Sequence, residues 1–562
     1  MRFRFAAPLL GFAVLLLLIV PASAQVSDAK IAAIQKRLNQ TLKAYNKIPA
    51  RYQKLLDGQS NLLQIARTFN QMAPKLRKPF NRASLAAAMA EVEAPSSGVV
   101  KVNNNSTDLD FSGFAGFTQS ETSTALCGSQ AVVGFNDSGS FLQTLPIPGI
   151  GLSFAGAAVS SNRGASFKDV GFMPPGPSLA NFVIGDPVLS CVDSSTFYYT
   201  QIFQAADADG NPISSVSLSK STDGGHTWGD PAITVPKDGF EHSIDKPWST
   251  IDPSNPMNIY ISYTDFDFSG TTAACPDDFR NAIEVVASND GGMTFGNPII
   301  IDEVCGATND AVQGSHVVVS SNGTVNVAWG WFANFPIGAR EFRFTSFAPG
   351  GSPAPHSVIS SITGVGDSFF LQGTFRDFLG IDFAVDHSGG STDGTLYATW
   401  DDGRDKIIPD LFSTSGSYAF ADVLVSSSFD GGNSWDFFPV KVNSDTQPRI
   451  GYGNDHYQPG IAVDPTGKVA VCWYDRRNDP KNFSIQRFCG ESADGGFSWS
   501  NWKVAVPTFP NSHGEDGVVN SIYEGDYDGL TSDTLKSTNG FIGAFGVITD
   551  GSNPDVKAYT FQ

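Results

Sequence analysis

Five short stretches of this 562-residue chain gather side chains that do acid–base or anion chemistry. They are His242 with Asp245 and Lys246, Asp401-Asp402 with Arg404, Asp455-His456-Tyr457, Tyr474-Asp475-Arg476-Arg477, and Glu524 with Asp526-Tyr527. Paired carboxyl groups suit cleavage of a glycosidic bond, one as acid and one as base or nucleophile. A tyrosine beside a carboxylate can take the nucleophile's part, and arginine grips a substrate carboxylate through two parallel N–H bonds. On these grounds Asp475, Tyr474, His456 and Asp245 are candidate catalytic groups. Arg404, Arg476, Arg477, Asp455, Tyr457, Asp526 and Tyr527 are candidate substrate contacts. Lyase chemistry is the rival, with His456 or Tyr457 abstracting a proton beside a uronate held by Arg476. For any single one of these residues the plainer role is a turn-closing aspartate or a structural ion pair.

These stretches sit at the ends of short aromatic strands that recur seven times. Val132-Val133-Gly134-Phe135, Phe197-Tyr198-Tyr199, Ile259 to Tyr263, Val325 to Trp329, Leu396 to Trp400, Val469 to Trp473 and Phe541 to Phe545 are β-branched and aromatic runs bounded by turn residues. A second strand and a tight turn precede each, as in Gly460-Ile461-Ala462-Val463 followed by Asp464-Pro465-Thr466-Gly467. Such a repeat predicts an all-β seven-bladed propeller of four-stranded blades, with six blades as the alternative. The seventh unit ends at Phe561 without a fourth strand. Val99-Val100-Lys101-Val102-Asn103, which matches Pro439-Val440-Lys441-Val442-Asn443, can supply it and remove two sheet edges. In that topology the strand 4-to-1 and 2-to-3 connections share one face, and the five stretches collect there around a central channel.

Between strands 3 and 4 a second pattern recurs, Ser-x-Asp-x-Gly-x-Thr/Ser-Trp/Phe. It begins at Ser221, Ser288, Ser428 and Ser492, with a weaker copy at Ser160 and an eroded one near residue 346. Its Asn162, Asp223, Asp290, Asp430 and Asp494 read as structural, accepting bonds from backbone N–H groups two or three residues on while glycine supplies φ > 0. The pattern resembles the Asp-box, or BNR repeat, of the sialidase-like β-propellers, and the resemblance covers nearly all of residues 99–562. It implies an exported enzyme that removes terminal sialic acids with an arginine triad, an aspartate acid/base and a Tyr–Glu nucleophile pair. The family's early Arg-Ile-Pro motif is absent: Pro146-Ile147-Pro148 lacks the arginine, so the triad does not carry over. Two readings follow, a glycoside hydrolase on acidic or complex glycans and a non-catalytic glycan- or protein-binding propeller.

The N-terminus, with Arg2 and Arg4, an apolar run from Phe5 to Val20 and Pro21-Ala22-Ser23-Ala24, has the form of a secretory signal over 1–24. The expected location is secreted or periplasmic, with no later stretch apolar enough to span a bilayer. Export makes the six cysteines disulfide partners, paired by position as Cys127–Cys191, Cys275–Cys305 and Cys472–Cys489. No cysteine–histidine spacing suits zinc, and no cofactor is expected; calcium in the aspartate ring is conceivable but has no EF-hand spacing behind it. Residues 25–95 carry apolar positions at helical spacing in three segments, through Ile31 to Tyr45, Tyr52 to Phe69 and Leu85 to Val92. That region has 12 Lys/Arg against 4 Asp/Glu, while residues 96–562 carry a net −30. So acidic a body excludes nucleic acid as partner. The basic helices are expected to dock on the acidic propeller face as a cap or gate, or to reach a protein partner.

Overall fold

In the computed structural model of the chain, residues 23–24, 26–55, 58–77, 80–81, 98–105, 108–111, 114–336, 338–367, 370–373, 375–378, 380–410, 416–511, 516, 524–548 and 554–562 are described. The signal segment up to residue 22, the helix expected over Leu85 to Val92 and most of the linker after it lie outside them.

Seven sheets follow one another around a ring, which decides for seven blades over six; six are antiparallel and four-stranded, and that of blade 2 adds a short parallel strand, Leu152–Ser153, and splits its fourth strand into Ala232–Ile233 and Lys237–Asp238. Within each sheet the aromatic run is the second strand and lies between its neighbours. In blade 4 the order is Ala311–Val319, Val325–Phe332, Arg340–Phe347 and Ser357–Ile362. Second strands are covered on both faces by adjacent blades. They are therefore apolar at nearly every position rather than alternating, and Trp329, Trp400 and Trp473 are fully buried. Blade 7 is built from both chain ends: Leu530–Ser532, Phe541–Val547 and Asp555–Phe561 are completed by Val99–Lys101, with Val99 opposite Tyr559 and Lys101 opposite Lys557. The closing strand saturates an edge that would otherwise pair with another chain.

The repeated turn works as a staple between blades. Asp223 accepts from the backbone N–H of Thr227 at 2.9 Å and from its hydroxyl at 2.6 Å, and Ser221 Oγ accepts from Gly225 N at 2.8 Å. Asp290, Asp430, Asp494 and Asn162 repeat this, so the main backbone donor is four residues on rather than the expected two or three. The turn presses on the preceding blade: a Cβ on Gly432, at φ +88°, would lie 2.0 Å from the ring of Phe344. The eroded copy at Ala348 to Gly351 keeps only a backbone turn, Gly351 N to Ala348 O at 2.8 Å. Disulfides join Cys127 to Cys191, Cys275 to Cys305 and Cys472 to Cys489.

Two N-terminal helices, α1 (Asp28–Tyr45) and α2 (Gly58–Leu76), pack as a hairpin. Ile31, Ile34 and Leu38 of α1, and Ile65, Phe69, Met72 and Leu76 of α2, share one buried cluster with Phe141, Phe154, Phe182, Ile184 and Ile202 of blades 1 and 2. Tyr52, just past α1, stacks on Phe279 at 4.5 Å and donates to Asp310 O at 2.8 Å, which carries the contact to blades 3 and 4. The hairpin thus roofs the face onto which the 4-to-1 and 2-to-3 connections open. Three of its cations bond to backbone carbonyls there: Lys30 donates to Thr144 O and Ile147 O, Arg37 to Ile213 O, and Lys47 to Phe240 O. Docking is therefore apolar, with backbone carbonyls taking the charge. Burial brings the Lys30 ammonium down to about 8.

A roof packed at core density has a core's sensitivity. Phe69→Ala is expected to cost about 3 kcal/mol or more, read as a shift in the urea midpoint at unchanged slope. A loss under about 1 kcal/mol would mean the roof rests loosely on the ring.

Candidate functional site

The first strand of each blade lines the channel. Five of these strands break register near the roofed end, between Ser120 and Ser123, Gly185 and Val188, Asp245 and Trp248, Gln313 and His316, and Tyr457 and Gly460. At each bulge one residue takes left-handed backbone: Glu121, Asp186, Lys246, Gly314 and Gln458 have φ between 48° and 68°. Holding non-glycine residues there costs energy, and such strain concentrates at functional sites. The bulges turn a ring of polar side chains to the channel mouth.

Within the ring, Lys246 Nζ lies 2.8 Å from Asp526 and 3.7 Å from Glu121, and Arg376 reaches the same Asp526 oxygen at 2.6 Å. Glu121 also accepts from Asn136 Nδ2 at 2.9 Å, and Asp245 accepts from Gln313 at 3.0 Å. Asp186 is fully buried close to Glu121, and neither of its carboxylate oxygens has a hydrogen-bond partner among the described residues. Burial, followed by the negative charge of Glu121, pushes Asp186 well above the usual carboxylate range; Lys246 pulls it down and Asp245 adds to the rise. Below the ring an aromatic plug fills the channel. Trp248 stacks on His316 at 3.9 Å and meets Tyr527 edge-on at 5.6 Å, and the Tyr527 hydroxyl donates to Pro187 O at 3.0 Å. Burial holds the His316 imidazole neutral, its pKa down at about 3.

Of the residues singled out in the sequence, Asp245, Lys246, Asp526 and Tyr527 belong to this mouth, and His242 lies on the first strand of blade 3. The remaining catalytic and substrate candidates lie in the walls of blades 5 and 6. Asp475 accepts from Trp473 Nε1 at 2.8 Å, from Arg477 NH2 at 2.6 Å and from Arg477 N at 2.8 Å. Asp402 does the same for Trp400 Nε1 at 2.9 Å, Arg404 NH2 at 2.6 Å and Arg404 N at 2.9 Å. A Trp-x-Asp-x-Arg clamp therefore recurs on the second strand of two successive blades, at the end of Val469–Asp475 and at the register break after Asp402 in Leu396–Pro409, and that spacing is legible in the sequence once the two are aligned. Arg476 is fully buried and donates to Gln372 O, Asn482 O and Asn511, strapping three loops together, while its charge faces Asp455 at 3.5 Å. Asp455 also accepts from Tyr418 at 2.7 Å and Asn482 at 2.6 Å. Tyr457 packs under Arg476, and Tyr474 donates to Gly546 O at 2.9 Å across the seam to blade 7. His456 sits between Asp445 at 3.0 Å, Asp422 at 3.3 Å and Asp475 at 3.7 Å. Burial alone would lower its pKa, but Asp475's charge and the bonds to Asp422 and Asp445 raise it well above 6.5.

Sequence reasoning passed over Glu121 and Gln313, which no proline follows. In blades 2, 3 and 6 the bulge does have a signal, a polar or charged residue before proline inside the first strand: Asp186-Pro187, Lys246-Pro247 and Gln458-Pro459. Among the described residues one group could bring metal ligands together, His242 with Asp265 and Asp267. Lys237 lies 2.8 Å from Asp265, and Arg280 lies 3.5 Å from it, so protein cations already hold that charge. Burial would raise Asp265, yet His242 and Lys237 hold it at about 2. A calcium ion takes six to eight oxygens, and this group does not fit one.

No family model matches the chain, and no curated protein matches it. Among solved structures it is similar to an α-L-arabinanase of Penicillium chrysogenum, 10% identical, TM-score 0.43, over 84% of this chain and 99% of that one. A PL25 ulvan lyase is 11% identical, TM-score 0.44, over 81% and 98%. An intramolecular trans-sialidase from Ruminococcus gnavus is 12% identical, TM-score 0.37, over 67% and 94%. The propeller assignment here stands on the seven sheets themselves.

The His456 imidazolium, with its raised folded pKa, contributes stability that is complete below about pH 6.5 and lost as pH rises through the folded value. His456→Gln should therefore lower stability by roughly 3 kcal/mol at pH 6, with the gap to wild type closing at alkaline pH in parallel urea titrations. A gap independent of pH would contradict a charged His456.

Proposed function

We propose that this chain is an exported glycan-active propeller whose reactive centre is the ring of bulges at the channel mouth, working as a glycoside hydrolase. The observation that carries the reading is the fully buried Asp186 beside Glu121 and Lys246, a carboxyl that burial and the charge of Glu121 push well above the usual carboxylate range. A carboxylic acid kept protonated near neutral pH is what a leaving glycosidic oxygen needs, and perturbed acids gather at functional sites. Asp186 is the acid and Glu121 the group that keeps it protonated. Asp245 is the second carboxylate, and Lys246 with Arg376 is the pair of cations facing an acidic sugar. Lys246 and Asp526 each keep 8% of their surface exposed in this closed form, the ring's window to solvent. The three disulfides agree with an oxidising compartment. Among the described residues no helix is long and apolar enough to cross a membrane.

One set of contacts favours the second reading, a non-catalytic glycan-binding propeller. Four aspartates of blades 5 to 7 are matched to arginines: Asp402 to Arg404, Asp455 to Arg476, Asp475 to Arg477 and Asp528 to Arg487. Those carboxylates are structural in either case, so the readings divide at Asp186.

A panel of sialosides, uronate polysaccharides and neutral glycans, assayed for product release and for retention, decides between them. Hydrolase action predicts release that falls about 10²–10⁴-fold in Asp186→Asn, and a wild-type rate that declines as pH rises and Asp186 loses its proton. Retention without release, unchanged in Asp186→Asn, would leave the binding module standing and remove the enzyme.

A further inference from the structure

On the flank of the ring, away from the mouth, a groove of about 590 Å³ runs between blades 4 and 5. One wall is the outer strand of blade 4, Ser357–Ile362. The other is the chain from Asn433 to Pro439, which leaves the repeated turn of blade 5 before its fourth strand. That fourth strand is only Val440–Lys441, two residues against the twelve of Ser417–Ser428, so the flank of blade 5 stays uncovered. Ser360 and Ser361 line one side and Asn433 the other, with Trp435 and Phe437 as aromatic surfaces and Arg404 at the upper end. Phe437 is 88% exposed and packs edge-on with Phe438, itself 79% exposed, at 4.7 Å. Phe437 and Phe438 thus form an exposed aromatic pair at the groove's edge, which a ligand seated there would cover.

From this groove we propose a second binding site, for a neutral oligosaccharide chain. Hydroxyl and amide groups along both walls offer donors and acceptors at spaced positions, and the aromatic rings offer flat apolar faces to the C–H faces of sugars. Charge argues for a neutral chain: Arg404 is already neutralised by Asp402 at 2.6 Å, and Asp436 also lines the groove. Strand addition by a peptide is disfavoured, because the Ser361 carbonyl on the blade 4 strand is already taken by Arg404 at 2.6 Å. The site does not depend on hydrolysis at the mouth. It would hold a polymer on the flank of the ring whether or not the mouth turns it over.

The test is calorimetric titration of the full-length protein with neutral hexasaccharides (cello-, xylo- and arabino-series), with a uronate hexasaccharide and with an unstructured decapeptide. Wild type is expected to bind at least one neutral hexasaccharide saturably, and Phe437→Ala to weaken it about tenfold with no change in thermal midpoint. Asp186→Asn is expected to leave this binding intact, which separates the flank from the mouth. Three results would overturn the proposal: no neutral hexasaccharide bound by wild type, binding that survives Phe437→Ala but is lost in Asp186→Asn, or preference for the uronate or the peptide. If Phe437→Ala disturbs folding, Phe437→Leu and Asn433→Ala carry the same comparison.

Discussion

A propeller confines the first strand of every sheet to the wall of a narrow channel, where side chains from seven directions compete for one axis. Five of those strands meet the constraint with a bulge near one end, each holding a residue in left-handed backbone. The bulge lets large groups turn along the axis instead of colliding across it. Trp248, His316 and Tyr527 can then fill the channel below, and Glu121, Asp186, Lys246 and Asp526 can crowd the mouth above. Proline after the bulged residue in blades 2, 3 and 6 fits the same need, since a bulge releases its N–H from the ladder.

Charge compensation is unequal around the ring. In blades 5 to 7 aspartates meet arginines at close range, and two blades use the same clamp of tryptophan, aspartate and arginine on the second strand. Repetition of that kind belongs to architecture, because the same local solution serves the same place in two blades. At the mouth the carboxyl groups of Glu121, Asp186, Asp245 and Asp526 face Lys246 and Arg376. That surplus, with burial, is what pushes Asp186 well above the usual carboxylate range.

The architecture was legible in the residues because its signals repeat. Aromatic second strands counted the blades, the match of Val99 to Asn103 with Pro439 to Asn443 located the closing strand, and position alone paired the cysteines. The mouth was half legible. Asp245, Asp526 and Tyr527 stood out by type, but Asp475, Arg476 and Arg477 stood out equally and lie in the wall. Residue type cannot tell a carboxylate clamped by its own blade from one left to its neighbours across the axis. That difference is made by contacts between residues hundreds of positions apart, such as Asp526 with Lys246. The roof was readable as helices from their 3.6-residue spacing, yet its attachment was not. The excess of basic residues pointed to carboxylates, whereas Lys30 and Arg37 bond to backbone carbonyls over an apolar cluster.

The proposed function turns on a proton held by Asp186 beside Glu121 at neutral pH, and infrared difference spectroscopy reads it directly. Wild type minus Asp186→Asn at pH 7 should contain the carbonyl stretch of a protonated carboxylic acid, shifted on deuteration and lost at strongly alkaline pH. A difference spectrum with carboxylate bands alone would mean both groups are ionised, and the mouth would then be an ion-pair ring like those in the blades beside it.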